Sequence, residues 1–196
     1  MNYVKLAVAS AALMAAVGAQ AAINGSLGNA GGDFLTLNAN GTFTDAASAV
    51  VATESGGQVL MNSTGSSTMP EGAVGNYLSD LGTDTTTVSF STGVSYLSFL
   101  WGTPDEYNKL LVNGKVFTAE SLGFPSVQGI PGTGQYVQFK ATGTDLITSL
   151  TFSNRPTTNS FETANYSVSA VPEPETYALM LAGLGMVGFI ARRRRG

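Results

Sequence analysis

Trp101, Asp105, Glu106, Tyr107 and Asn108 are the densest group of chemistry-bearing side chains in the sequence, in the run Trp-Gly-Thr-Pro-Asp-Glu-Tyr-Asn. Asp105, Glu106 and Asn108 set three hard oxygen donors close together, the ligand type that calcium takes. Trp101 and Tyr107 add flat apolar faces on which a sugar ring can stack. The same residues also have a purely structural reading. Pro104-Asp105 is a common turn opening, Asp and Asn bond their own backbone in loops, and a Trp ending an apolar run is usually core. The Asp-x-Asp-x-Asp-Gly spacing of an EF-hand loop is absent, so a calcium site would rest on these three residues alone.

Other chemistry is excluded by composition. The 196 residues contain no His and no Cys, which removes His-based acid–base catalysis, thiolate nucleophiles, disulfides and zinc sites of the usual N/S kind. Asp105 and Glu106 are adjacent, so on a strand they would point to opposite faces and could not act as paired glycosidase carboxylates. No Ser-x-x-Lys spacing activates a serine, and Gly129 to Gly134 lacks the lysine and following helix of a phosphate loop. The expectation is a protein that is not an enzyme and needs no cofactor, calcium at Asp105, Glu106 and Asn108 being the one candidate. Between Ala22 and Val171 four cations (Lys109, Lys115, Lys140, Arg155) face eleven acids, a balance of −7. Such a surface repels phosphate backbones, and nucleic acid is excluded as a partner.

The ends differ from the body. Met1 to Lys5 is a charged lead, Leu6 to Val17 an apolar run, and Ala19-Gln20-Ala21 a small-residue triplet. The run is too short for a bilayer core of roughly 30 Å and reads as a signal peptide over residues 1–21, cut by signal peptidase after Ala21 or one residue later. At the other end Val171-Pro172-Glu173-Pro174-Glu175 precedes an uncharged stretch, Thr176 to Ala191, and then Arg192, Arg193, Arg194 and Arg195. Pro172 and Pro174 make a stiff, extended segment that presents backbone to a recognising enzyme. The apolar stretch would reach about 24 Å as a helix, short for a span but able to cross where the bilayer thins. The arginines would hold its end in the cytoplasm, leaving the body outside.

Pro-Glu-Pro, a short apolar helix and a terminal Arg cluster together resemble the PEP-CTERM sorting signal of exosortase-processed proteins in Gram-negative bacteria. The resemblance implies that an exosortase recognises Pro172, Glu173 and Pro174, removes residues 171–196 after a transient stay in the inner membrane, and passes the body to the cell surface or to secreted exopolysaccharide. The run from Trp101 to Asn108 is similar to the Trp-Gly-x-x-Asp-x-Tyr-Asn signature of a family of exosortase-dependent surface proteins. That likeness covers roughly Thr85 to Val171, through the Asn113-Gly114 turn and the Gln135-Tyr136-Val137 strand.

The body, residues 22–170, must position these groups. Alternating and β-branched runs recur between Gly, Asn and Thr clusters, and no helical-period segment exceeds two turns. Strands are expected at Phe34–Leu37, Ala47–Thr53, Gln58–Met61, Thr85–Phe90, Val94–Trp101, Lys109–Val112, Lys115–Thr118, Gln135–Ala141, Leu146–Ser153 and Asn165–Ala170. Asn113-Gly114 predicts a type I′ hairpin. Bulky residues on both faces of Val94–Trp101 predict a central, doubly covered strand, and broken alternation in Ile147–Ser153 predicts a bulge. Ser55–Gly82 and Gly123–Gly134 read as surface loops. The economical packing is an antiparallel β-sandwich, jelly-roll-like. Two roles fit this sequence: a structural surface protein, or a carbohydrate-binding module using the Trp101–Asn108 loop, which requires an exposed aromatic platform. N-terminal sequencing of the exported protein should begin at Ala22 or its neighbour; a mature chain that still begins near Met1 would refute the signal-peptide reading.

Overall fold

One strand, Thr85–Trp101, runs through both layers of the molecule. The computed structural model describes residues 22–29, 31–82, 84–142, 145–155, 158–170, 180–184 and 186. Its strands are β1 (Ala22–Leu27), β2 (Asp33–Phe34), β3 (Thr36–Leu37), β4 (Thr42–Thr44), β5 (Val50–Ser55), β6 (Gln58–Leu60), β7 (Tyr77–Leu81), β8 (Thr85–Trp101), β9 (Lys109–Val112), β10 (Lys115–Phe117), β11 (Gln135–Thr142), β12 (Ile147–Ser153) and β13 (Asn159–Ala170), with a one-turn helix α1 (Ala119–Leu122). All the strand pairings are antiparallel.

The first half of β8 lies between β5 (Ala52 opposite Phe90) and β12 (Phe152 opposite Thr86). Its second half lies between β11 (Val137 opposite Phe99) and β13 (Ala164 opposite Leu100). The strand changes neighbours near Gly93, where a Cβ would stand only 2.6 Å from that of Leu146. A single curled antiparallel sheet thereby forms the all-β sandwich the sequence predicts, with β8 common to both layers. Where the sequence reads two strands, Thr85–Phe90 and Val94–Trp101, the chain holds one continuous strand.

The core sits between the layers, and a connected set of aromatic rings runs through it. Phe99 meets Tyr166 of β13 at 5.2 Å between ring centroids, Phe152 of β12 at 5.7 Å and Phe139 of β11 at 6.0 Å. Leu97, Phe99 and Trp101 point into this core, and the alternate residues Tyr96, Ser98 and Leu100 are buried too. Their face is covered by chain on the outside of the layer: the Ser98 hydroxyl donates to Asn29 (2.8 Å), and Asn165 straps the 70s segment by donating to the Gly72 carbonyl and accepting from the Val74 N–H, each at 2.8 Å. β8 is therefore doubly covered, as its sequence predicts.

The hairpin at Asn113-Gly114 forms with φ of 48° and 80°, the left-handed pair of a type I′ turn. A register shift between Ile147 and Ser149 is the expected bulge. Ser55–Gly82 is not a loop throughout: besides β6, the strand expected at Gln58–Met61, it holds β7, and Tyr77, Leu78, Ser79 and Asp80 are buried. β7 breaks the alternation rule because both of its faces are covered: Asp80 is held by the Thr86 hydroxyl at 2.7 Å, while the buried Ser79 hydroxyl has no partner among the described residues. Strands β1 and β4 are also additions to the sequence reading, too short or too Gly- and Thr-rich to show period-2 patterning.

Phe99→Ala should cost about 3–5 kcal/mol, the range for emptying an aromatic core site, while Val116→Ala on the exposed face should stay within about 0.5 kcal/mol. Chemical denaturation of both variants measures this; a near-neutral Phe99→Ala would contradict the shared-strand core.

Candidate functional site

β8 ends at Trp101, and the chain turns through Gly102 to Asn108 into β9. Trp101 is fully buried. Its indole stacks on Phe161 at 4.3 Å and 25° and meets the edge of Phe124 at 5.4 Å. The indole N–H has no hydrogen-bond partner among the described residues, so ring packing holds the side chain. Trp101 shows no face to solvent, which removes it as a sugar platform; Tyr107 is the only partly exposed aromatic of the run. The cause is position: Trp101 is the last inward residue of a strand whose alternate side chains build the core.

Asn108 is buried as well and holds the turn closed. Its side-chain oxygen accepts from the Asp105 N–H at 2.9 Å, and its own N–H donates to the Asp105 carbonyl at 3.1 Å. Its amide nitrogen donates to the Asn154 side chain at 2.6 Å. Asn154 in turn donates to the Asp80 carbonyl at 2.7 Å and carboxylate at 3.0 Å. A buried polar chain, Asn108 to Asn154 to Asp80 to Thr86, thus ties the turn to β7 and to the start of β8.

The three proposed calcium ligands are not brought together by this arrangement. The Asn108 oxygen is committed to the backbone, Glu106 is exposed, and Asp105 packs against the backbone of Gly129. Among the described residues no group of three or more Asp or Glu side chains converges as a metal site. Gly129 sits at φ 61°, where any side chain is strained, and a Cβ there would have to displace the Asp105 carboxylate.

Instead, Asp105 shares a polar cleft of about 330 Å³ with Glu162, Tyr107, Thr103 and the tip of the 60s segment. Glu162 is a buried carboxylate that the sequence reading did not single out. It accepts from the Thr103 hydroxyl (2.8 Å), the Thr68 N–H (3.0 Å) and the Ser160 hydroxyl. Three donors on two oxygens make it a clamp for the turn and the 60s segment rather than a free acid or base. Burial raises the Asp105 carboxyl, the Tyr107 hydroxyl partly opposing and Glu162 and Glu106 adding to the rise. The Tyr107 hydroxyl is pushed up to about 12, by burial first and then by its bond to Asp105. Glu162 and Asp80 gave no sequence signal because a lone acid in a polar-rich run looks like a solvated one; only the strand pairing shows that both are inside.

The site defines a class: a β-sandwich whose most distinctive turn is a rigid, internally bonded corner. Residues 170–195 match the family model of the PEP-CTERM protein-sorting motif. The chain thus carries a PEP-CTERM signal, which marks it for exosortase recognition and for export to the cell surface. Pro172, Glu173 and Pro174, Arg192 to Arg195, and the leader 1–21 lie outside the described residues. Residues 180–184 are helical, and among the described residues no helix is long and apolar enough to cross a membrane. No curated protein matches the chain. A solved structure described as a peptidoglycan O-acetylesterase in action is similar at 18% identity and a TM-score of 0.39, over 70% of this chain and 34% of that one. The chain spans about a third of that structure's length.

Asp80 generates a pH prediction. Burial lifts its carboxyl from 3.8 to about 6 despite hydrogen bonds from Thr86 that pull it down. A native carboxyl with a raised pKa binds more protons than the unfolded chain between those values, so its contribution favours the folded state below the interval and is lost as pH rises through it. Relative to Asp80→Asn, the wild type should lose about 1–3 kcal/mol of stability between pH 4 and 7, measured by parallel denaturation series. A difference that is flat or grows with pH would refute it.

Proposed function

We propose that the protein is a structural component of the cell surface, and not an enzyme, whose body is released from a transient membrane anchor and retained in the envelope or its exopolysaccharide. The observation that carries this reading is the junction between body and tail. β13 ends at Ala170, and the sorting match begins at residue 170. The last strand is central, paired with β7 and β8, so it fastens the body directly to the sorting segment.

Three further features support the reading. Met180, Leu181, Leu184 and Met186 are exposed instead of contributing to the core, which leaves an apolar surface for a membrane to cover. The four terminal arginines oppose a body balance of −7, a charge asymmetry that orients the tail inward and the body outward. A non-enzymatic role is favoured by the lack of His and Cys and by the saturation of Glu162. Signal peptidase and exosortase are the processing partners of this scheme, and the membrane holds the substrate between the two cuts.

Replacing Pro172 and Pro174 with Ala should leave the protein unprocessed in the inner membrane, since the stiff recognition segment is lost. Immunoblots of host fractions check this. Unchanged processing and release of the double variant would count against exosortase recognition of Pro-Glu-Pro.

A further inference from the structure

Away from the Trp101 turn, three of the exposed large apolar side chains of the body meet at one groove: Phe34 of β2, Met61 after β6, and Val74, exposed by 56%, 64% and 80%. The groove holds about 600 Å³, within the size range of ligand sites. Its lining contains no charged residue. Its polar members are amides and a phenol, chiefly Asn38, Asn76 and Tyr136.

Their hydrogen-bonding capacity is only half used. The amide nitrogen of Asn38 donates to the Thr42 carbonyl at 3.2 Å, and that of Asn76 to the Leu37 carbonyl at 2.9 Å. No described group donates to either side-chain oxygen. The Tyr136 hydroxyl accepts from Asn165 at 2.9 Å, and its own proton has no described acceptor. The groove therefore offers two amide oxygens, one hydroxyl proton and apolar faces, with no net charge.

We infer that this groove binds a neutral glycan segment of two or three rings. A sugar ring presents a C–H face to a side chain such as Phe34 and a rim of hydroxyls that both donate and accept. An acyl chain would bury the Asn38 and Asn76 oxygens without partners, at a desolvation cost. An anionic glycan finds no cation in the lining and meets an acidic body. A peptide strand is disfavoured at β3, because the Leu37 carbonyl is capped by Asn76 and the Leu35 N–H already donates to Tyr166 at 2.8 Å. The inference rests on the surface role proposed above and moves polymer recognition from the Trp101 turn to the opposite use of β13, at Asn165 and Tyr166.

The test is calorimetric titration of the full-length protein, held in phosphatidylcholine nanodiscs, with cellotetraose, maltotetraose and mannotetraose, and with tetragalacturonate as the charged control. At least one neutral tetrasaccharide should bind, tetragalacturonate should not, and Phe34→Ala should weaken binding about tenfold while Phe34→Trp retains it. Absence of binding by all three neutral probes, binding indifferent to Phe34→Ala, or binding lost in Tyr107→Ala instead would overturn the assignment. Fractionation of the Phe34→Ala strain separates the two readings: normal export and processing with no glycan bound in vitro by the wild type overturns the groove alone, whereas a wild type that never leaves the inner membrane overturns the surface role.

Discussion

The structure depends on β8 serving both layers at once. A strand of 17 residues with neighbours on either side along its two halves has no free edge, and every inward residue after the bend is in the core. Because the layers share it, Phe99 can touch aromatic rings from β11, β12 and β13 together. The rest of the molecule is arranged around that strand: β13 beside it leads to the sorting tail, and the turn beyond Trp101 becomes a corner whose geometry the core dictates.

That constraint explains which parts of the fold are legible in sequence. β9 and β10, marked by their Asn-Gly turn, and β11 and β12 lie close to their predicted ranges, and β8 covers two predicted strands as one. β7 is not legible, because Ser79 and Asp80, buried on its two faces, look like loop residues until Thr86 and Asn154 are seen to satisfy Asp80. The Trp101 turn was legible as a distinctive segment but ambiguous in purpose. Asn108 can ligate a cation or close an Asx turn, and only the approach of Asn154, more than forty residues away in sequence, decides for the turn. Glu162 is a harder case still, since beside its strand neighbour Ser160 its donors come from Thr68 and Thr103, segments that no local pattern associates with it.

The tail reverses this balance. Its meaning is linear: residues 170–195 match the sorting motif as a sequence pattern, and that pattern marks the chain for exosortase recognition without a folded context. The low cationic content of the body and the internal bonding of Asp80 and Glu162 accord with the surface role proposed above.

Trp101 anchors the core at the end of β8 instead of facing a ligand. The chain has a single tryptophan, so its fluorescence reports that one position. Emission of the folded protein should be shifted to the blue of free indole, inaccessible to iodide, and should move to the red with quenching only on unfolding. Red-shifted emission that iodide quenches in the native protein would place Trp101 at the surface and contradict the core, the turn and the assignment built on them.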